Sequence, residues 1–242
     1  MEKRVDMDEK VVILSGAGLS ASSGISTFRD EDGLWEKHDI KDICNVGCLD
    51  WNYDNTIKFY NLRREDIKDK LPNNAHKMCA RLKEKYSDKI EIITQNVDDL
   101  LEKAQCKDVK HLHGYLKELR CMNCDEVVNI EYENQDESNS TCKSCGNKMR
   151  PNIVFFGESA PMYQKMYEAL NGCGLLVVIG TSGYVIDVSF LTQYADFAIL
   201  NNLEKSEAIV EDCFTKIYYE DANTAYKKIE EDIENFIKNG EI

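Results

Sequence analysis

Residues 11–29 read VVILSGAGLSASSGISTFR. Val11 to Leu14 form an apolar run with no helical period, which predicts a short strand buried on both faces. Gly16-Ala17-Gly18 follows directly, and small residues continue through Ala21, Ser22 and Ser23 to Gly24. A buried strand, a glycine turn and a helix start of small residues make a phosphate cradle. Glycine lets the backbone approach a pyrophosphate, and the free N–H groups of the new helix point at its charge. Gly16, Gly18 and Ala21 fit the relaxed G-x-G-x-x-G/A dinucleotide fingerprint. An ordinary strand–turn–helix with glycines for packing fits the same residues. A hydride-transfer domain also needs a second strand ending in an acid, about 20 residues on, to hold the ribose. Residues 30–43, DEDGLWEKHDIKDI, are polar and unlike a strand. The stretch points to a dinucleotide and away from a standard oxidoreductase.

Working outward, 242 residues suffice for one large domain, or one large and one small. A net charge of −14 disfavours nucleic acid as a partner, because phosphate binding needs a basic face. It suits basic substrates such as lysine-bearing segments, and it also suits a merely soluble acidic surface. No apolar run approaches the ~18 residues of a membrane span. The opening MEKRVDMDEK carries acids and no apolar core, so no signal peptide is expected. Ten cysteines without a signal, four of them clustered, favour a reducing cytoplasm over a secreted disulfide framework.

Residues 30–50 read as loop with short turns. Over 51–68, Tyr53, Ile57, Tyr60 and Ile67 recur near helical spacing. Tyr60 and Arg63 share a face of that helix, and by spacing alone they are a core tyrosine beside a solvated arginine. Asn74 is expected to cap a helix carrying Ala75, Met78, Cys79 and Leu82. Ile90–Thr94 predicts a second buried strand, ending in the polar cluster Gln95-Asn96-Val97-Asp98. Ligands of open α/β sheets bind at that edge, and Asp98 also suits a helix N-cap. His111 and His113 alternate, so on an extended segment they face the same way. Apolar runs at 153–158, 175–179, 195–200 and 214–219 predict four further strands. Helices are expected over 161–171 and from about Asn223, the last with Ala225, Ile229, Ile233 and Ile237 on one stripe. Strands alternating with helices predict an α/β fold with a Rossmann-like, doubly wound parallel sheet.

Cys121-x-x-Cys124 and Cys142-x-x-Cys145 are the strongest physical signal in the chain. Each pair places two thiolates on one knuckle, and the separation of the pairs matches zinc ribbons. Four thiolates fill a tetrahedral Zn²⁺ and leave no open position, so the metal is expected to be structural. Two disulfides or a redox pair are the alternative. The other six cysteines are expected to be buried hydrophobes.

Taken together, GAGLSASSGISTFR, TQNVDDL, His113-Gly114, the paired C-x-x-C, FFGE at 155–158, GTS at 180–182 and NLE at 202–204 resemble the sirtuins, the NAD-dependent protein-lysine deacylases. The motifs stand in family order from about Val11 to Ala222. The resemblance implies NAD and structural Zn²⁺. It implies an NAD-binding domain of residues 1–34, 72–115 and 152–242, with a small domain of 35–71 and 116–151 made of a helical insertion and the zinc ribbon. It implies a cofactor loop of Gly16, Ala17, Gly18, Thr27, Phe28 and Arg29. Gln95, Asn96, Val97 and Asp98 would line the ribose and nicotinamide pocket. Gly180, Thr181, Ser182, Asn202, Leu203, Glu204 and Ala222 would hold the phosphates and adenosine. His113 would be the general base. In the family reaction the acyl oxygen attacks the nicotinamide ribose, nicotinamide leaves, and the base activates a ribose hydroxyl. The products are free lysine and O-acyl-ADP-ribose. Acyl-lysine proteins would be the partners, neither nucleic acid nor membrane is implied, and a monomer is compatible with the sequence. Val154 would line the acyl-lysine tunnel. Phe156, Gly157, Glu158, Tyr184 and Val185 would flank the substrate backbone, which would pair as an added strand.

Tyr60 and Arg63 also resemble the Tyr-x-x-Arg pair of a bacterial and mitochondrial subgroup that recognises succinyl, malonyl or glutaryl lysine. A guanidinium and a phenol bind a carboxylate by charge-assisted bonds. Ser26, Asp30, Leu101, Gln105 and Asp187 depart from the family pattern, and Cys44 stands where the subgroup has a small residue. An ADP-ribosyltransferase or NAD hydrolase on the same scaffold is the alternative activity.

Overall fold

The computed structural model describes residues 9–26, 40–124 and 126–242. Thr27, Phe28, Arg29 and Asp30 lie outside them.

β1 (Lys10–Ser15) and β7 (Cys173–Ile179) form the centre of a six-stranded sheet. Around them lie β2 (Ile90–Thr94), β3 (Lys110–His111), β8 (Phe197–Asn202) and β9 (Lys216–Tyr219), in the order β3-β2-β1-β7-β8-β9. All neighbours are parallel. Alternation of side chains divides each strand between two cores. Val11, Ile13, Leu175 and Val177 face one cluster, with α5 (Asn74–Tyr86) and α9 (Ala222–Asn239). Val12, Leu14, Leu176 and Val178 face the other, with α7 (Met162–Leu170) and α8 (Val188–Leu191). Fully burying such a side chain contributes about 1.5–3 kcal/mol, so the doubly covered strands are the main source of stability. This is the doubly wound Rossmann-like sheet expected from the sequence. Two short helices, α1 (Gly18–Ala21) and α6 (Leu100–Lys103), follow the C-terminal ends of β1 and β2.

The chain leaves this sheet for a second, antiparallel one of order β5-β4-β6, built from β4 (Gly114–Cys121), β5 (Val127–Asn129) and β6 (Met149–Ile153). The apolar run 153–158 is therefore not a strand of the parallel sheet. The actual strand lies a few residues earlier and contains Arg150 and Pro151. Proline is tolerated there because β6 is an edge. Helices α2 (Ile40–Ile43), α3 (Cys48–Trp51) and α4 (Tyr53–Lys68) pack here around Ile43, Phe59, Ile67, Leu116 and Phe155. The expected 51–68 helix thus starts at Tyr53, after a break at Asn52 (φ −130°).

Two local expectations are corrected. Asn73, not Asn74, caps α5: its Oδ1 accepts the N–H groups of Ala75 (2.9 Å) and His76 (3.3 Å). Of the six scattered cysteines five are buried, but Cys213 is exposed. Among the described residues no helix is long and apolar enough to cross a membrane.

Candidate active site

The C-terminal ends of β1, β2, β7 and β8 and the inner face of α4 border one cavity of about 970 Å³. Every expected cofactor and substrate residue that falls within the described chain lines it, from Gly16 to Ala222. Its floor depends on two glycine turns in contact. Gly18 donates to the Gly180 carbonyl (2.8 Å), and Gly180 has φ +66°. A Cβ on Gly180 would lie 2.4 Å from the Leu19 nitrogen, so only glycine permits this approach. Asn202 donates to the Thr181 carbonyl (2.8 Å) and Gln95 to the Thr181 hydroxyl (3.1 Å), which fixes the second turn.

The turn after β2 carries a buried polar network. Asn73 N–H donates to His76 Nδ1 (3.3 Å), so the other ring nitrogen, Nε2, holds the proton and donates to Ser20 Oγ (3.2 Å). Ser20 donates in turn to Asp98 Oδ2 (2.9 Å), and Asn96 donates to Ser20 (3.1 Å). Asp98 Oδ1 accepts the Leu100 N–H (3.0 Å) and the residue faces the cavity, but the N-cap position of α6 is Asp99 and not the expected Asp98. Burial raises the Asp98 pKa, and the bonds from Leu100 and Ser20 oppose that. Burial lowers the His76 pKa to about 4. Ser20 and His76 were not singled out from sequence; only their distant partners give them meaning.

The two alternating histidines have different partners. His111 bonds the Asn96 carbonyl (2.9 Å) and the Glu102 carboxylate (3.0 Å). Burial disfavours its charged form, but Glu102, the Asn96 carbonyl and Asp98 together outweigh burial and raise its pKa. His113 bonds the Gln95 carbonyl through Nδ1 (3.1 Å) and the Tyr163 hydroxyl through Nε2 (2.9 Å). Burial lowers the His113 pKa, and the Gln95 carbonyl partly offsets it. A buried neutral imidazole with Nδ1 bonded to a carbonyl has its lone pair on Nε2, the form a general base requires.

Across the cavity, Tyr60 and Arg63 are both buried on α4, so Arg63 is not the solvated residue that spacing alone suggests. Tyr60 stacks on Phe155 (5.7 Å, 7°) and donates to Cys44 Sγ (3.1 Å). Burial pushes the Cys44 thiol up to about 11 and Tyr60 well above its usual value, so both are neutral near pH 7. Burial lowers the Arg63 pKa while Asp66, 3.7 Å away, supports its charge. Glu158 pairs with Arg150 and Arg120 and accepts the Phe155 N–H (2.9 Å), which locks the 155–158 turn. Phe156 already exchanges backbone bonds with Cys44 and Val46.

The thiol sulfurs of Cys121, Cys124, Cys142 and Cys145 all lie within 4.8 Å of one another. Sγ–Sγ distances are 3.5 Å for 121–145 and 3.6 Å for 124–142. A tetrahedron with Zn–S near 2.3 Å requires about 3.8 Å, so the donor set fits zinc in number, type and spacing.

A family model described as the Sir2 family matches residues 16–187. The chain belongs to the Sir2 family, the sirtuins. It is 47% identical over 235 residues to an NAD-dependent protein deacylase of Campylobacter jejuni strain RM1221, covering 97% of this chain and 100% of that one. It is 40% identical to one from Helicobacter hepaticus, with 94% and 98% covered. Among solved structures, a mutant Sir2 homologue with ADP-ribose superposes with TM-score 0.83 at 27% identity, covering 99% of both chains. A Sir2 homologue–NAD complex gives 0.82 at 28% identity, covering 96% of this chain and 92% of the other. Some departures from the sirtuin pattern have a local explanation. Asp187 caps α8 through the Phe190 N–H (3.0 Å). Gln105 takes the left-handed conformation (φ +67°) that glycine adopts most readily.

Proposed function

We infer that this sirtuin is an NAD-dependent protein-lysine deacylase whose reaction yields nicotinamide and O-acyl-ADP-ribose. The observation that carries the reading is the base-ready His113 in the same cavity wall as the Gly16–Gly18 and Gly180–Ser182 turns. Asn201 supports a polar ligand at the other end. Its Oδ1 is buried on the cavity wall with no hydrogen-bond partner among the described residues. NAD when bound supplies an electrophilic ribose carbon and the hydroxyls that receive the acyl group.

The chain's own residues do the rest. The two glycine turns hold the phosphates. Asn96 and Asp98, fixed by Ser20, face the nicotinamide end. His113 takes a proton from a ribose hydroxyl at Nε2. Zn²⁺ on the four cysteines holds the small sheet together and takes no part in the chemistry. Gly157, Tyr184 and Val185 offer the substrate backbone its pairing partners, since the Phe156 backbone is occupied. A sirtuin with 0.72 TM-score and 28% identity, covering 92% of each chain, was solved with a propionylated peptide bound, which supports an acyl-lysine substrate.

The acyl group favoured is a dicarboxylyl one such as succinyl. Arg63 keeps its charge beside Asp66 and lines the cavity, so an acyl carboxylate would meet a guanidinium that an acetyl group could not use. The Cys44 thiol is uncharged and therefore does not repel that carboxylate. As a weak acceptor it releases the Tyr60 hydroxyl at small cost. A hydrogen bond to a charged group contributes about 1.5–3 kcal/mol, roughly ten- to a hundredfold in kcat/KM. The test compares succinyl and acetyl peptides of one sequence with wild type and Arg63→Met. An unchanged ratio would make the protein a plain deacetylase. In the same assay His113→Ala should lose turnover while still binding NAD; normal turnover would remove His113 as the base.

A further inference from the structure

Tyr163 has no place in the scheme above, yet it touches the atom on which that scheme depends. The Gln95 carbonyl can only accept, so His113 Nδ1 carries the ring proton and Nε2 the lone pair. Tyr163 Oη lies 2.9 Å from Nε2 and must be the donor. The phenol therefore sits where a ribose hydroxyl would have to sit to lose its proton.

We propose that Tyr163 is a positioning residue that caps Nε2 of His113 in the cofactor-free protein and is exchanged for the ribose hydroxyl when the nucleotide binds. The proposal rests on the deacylase reading for the identity of the incoming hydroxyl. The side chain is placed for such an exchange. It belongs to the first turn of α7, it is half-buried and lines the cavity, and its ring is tilted by 46° at 5.8 Å from the imidazole rather than stacked on it. While in place it fixes the ring and its tautomer. Burial also raises the Tyr163 pKa, so it remains a donor through neutral pH. Of the nearby titratable groups, Asp98 is held by Ser20 and Leu100, His111 by Glu102 and Glu158 by Arg120 and Arg150, while Tyr167 packs against Tyr194.

The exchange conserves hydrogen bonds. One O–H donor leaves Nε2 and another arrives, so the base gains a substrate without passing through an unpaired buried nitrogen. A phenol bonded to the lone pair also stabilises the neutral ring, so its removal should make His113 easier to protonate.

The test follows the imidazole resonances of His113 by NMR in wild type, Tyr163→Phe and Tyr163→Leu. Assignment comes from a His113→Gln spectrum. In the free protein both variants should titrate about half to one pH unit higher than wild type. With saturating ADP-ribose, that difference should shrink to nothing, because the phenol has already left. Tyr163→Phe should also bind ADP-ribose at least as tightly as wild type. Identical free-protein titrations would overturn the capping. A difference that survives ADP-ribose undiminished, or weaker ADP-ribose binding by Tyr163→Phe, would overturn the exchange. Absence of nicotinamide release by wild type with every acyl peptide would instead count against the deacylase reading, while the free-protein titration would still decide the capping.

Discussion

At the scale of single residues, partners decide roles that spacing cannot. The alternation of His111 and His113 placed both on one side, and both do bond carbonyls of the turn after β2. What separates them is the second ring nitrogen, which meets a carboxylate in one case and a phenol in the other. Neither Glu102 nor Tyr163 advertises this in the sequence. The motif residues, by contrast, were legible because seven motifs stand in the order of one family; each alone also fits an ordinary turn or cap. His76 gives a test at this scale. Its pKa is about 4 when folded against about 6.5 when unfolded, so below pH 6.5 the unfolded chain binds more protons and stability falls as pH drops. Between pH 7 and 4.5 this one group should cost about 2–3 kcal/mol. His76→Gln should show a correspondingly smaller loss over that range in urea unfolding. Equal pH slopes for the two proteins would mean that His76 is not held neutral.

At the scale of elements, the parallel strands were readable because burial on both faces makes them uniformly apolar, as in CGLLVVI at 173–179. The antiparallel strands were not. β5 is three residues long and exposed at every position, so its two valines show no buried–exposed alternation. β6 holds a proline and an arginine, while the more apolar 155–156 segment beyond it is a cavity wall. Adjacent asparagines at 73 and 74 look alike in sequence, and only the entry angle of α5 selects Asn73 as its cap. Asn73→Ala removes the bonds to Ala75 and His76 and should lower stability by about 1–2 kcal/mol. Asn74→Ala, whose backbone rather than side chain bonds Asn223, should stay within about 0.5 kcal/mol. Equal losses for the two would refute the assignment.

At the scale of the whole molecule, two sheets with separate cores meet at the cavity. Cys121 and Cys142, with Cys124 against them, pack with Leu119, Ile130 and Met149 in a core too small to stand alone. A bound metal therefore couples to the folding of this layer. Removing zinc with a chelator, or Cys142→Ser, should abolish turnover and disorder β4–β6. The amide protons of β1 and β7 should stay protected in hydrogen exchange. Purified active protein with no zinc by elemental analysis would end this account. The layers are tied besides by Asp99 of the six-stranded side, which meets Lys117 and Tyr132 of the other.

The chain passes from one sheet to the other within three residues, from His111 at the edge of the first to Gly114, where the second begins. Gly114 takes φ +92°, with no room for a side chain beside the Asn152 carbonyl, and the His113 carbonyl accepts the Val154 N–H (2.9 Å). The imidazole thus rides on the axle between the layers. Any rotation of one about the other swings the ring, much as turning a key moves its bit. A substitution that shifts how the layers pack therefore displaces the base without touching NAD or the lysine chain, and an ångström of misplacement costs about a hundredfold in rate.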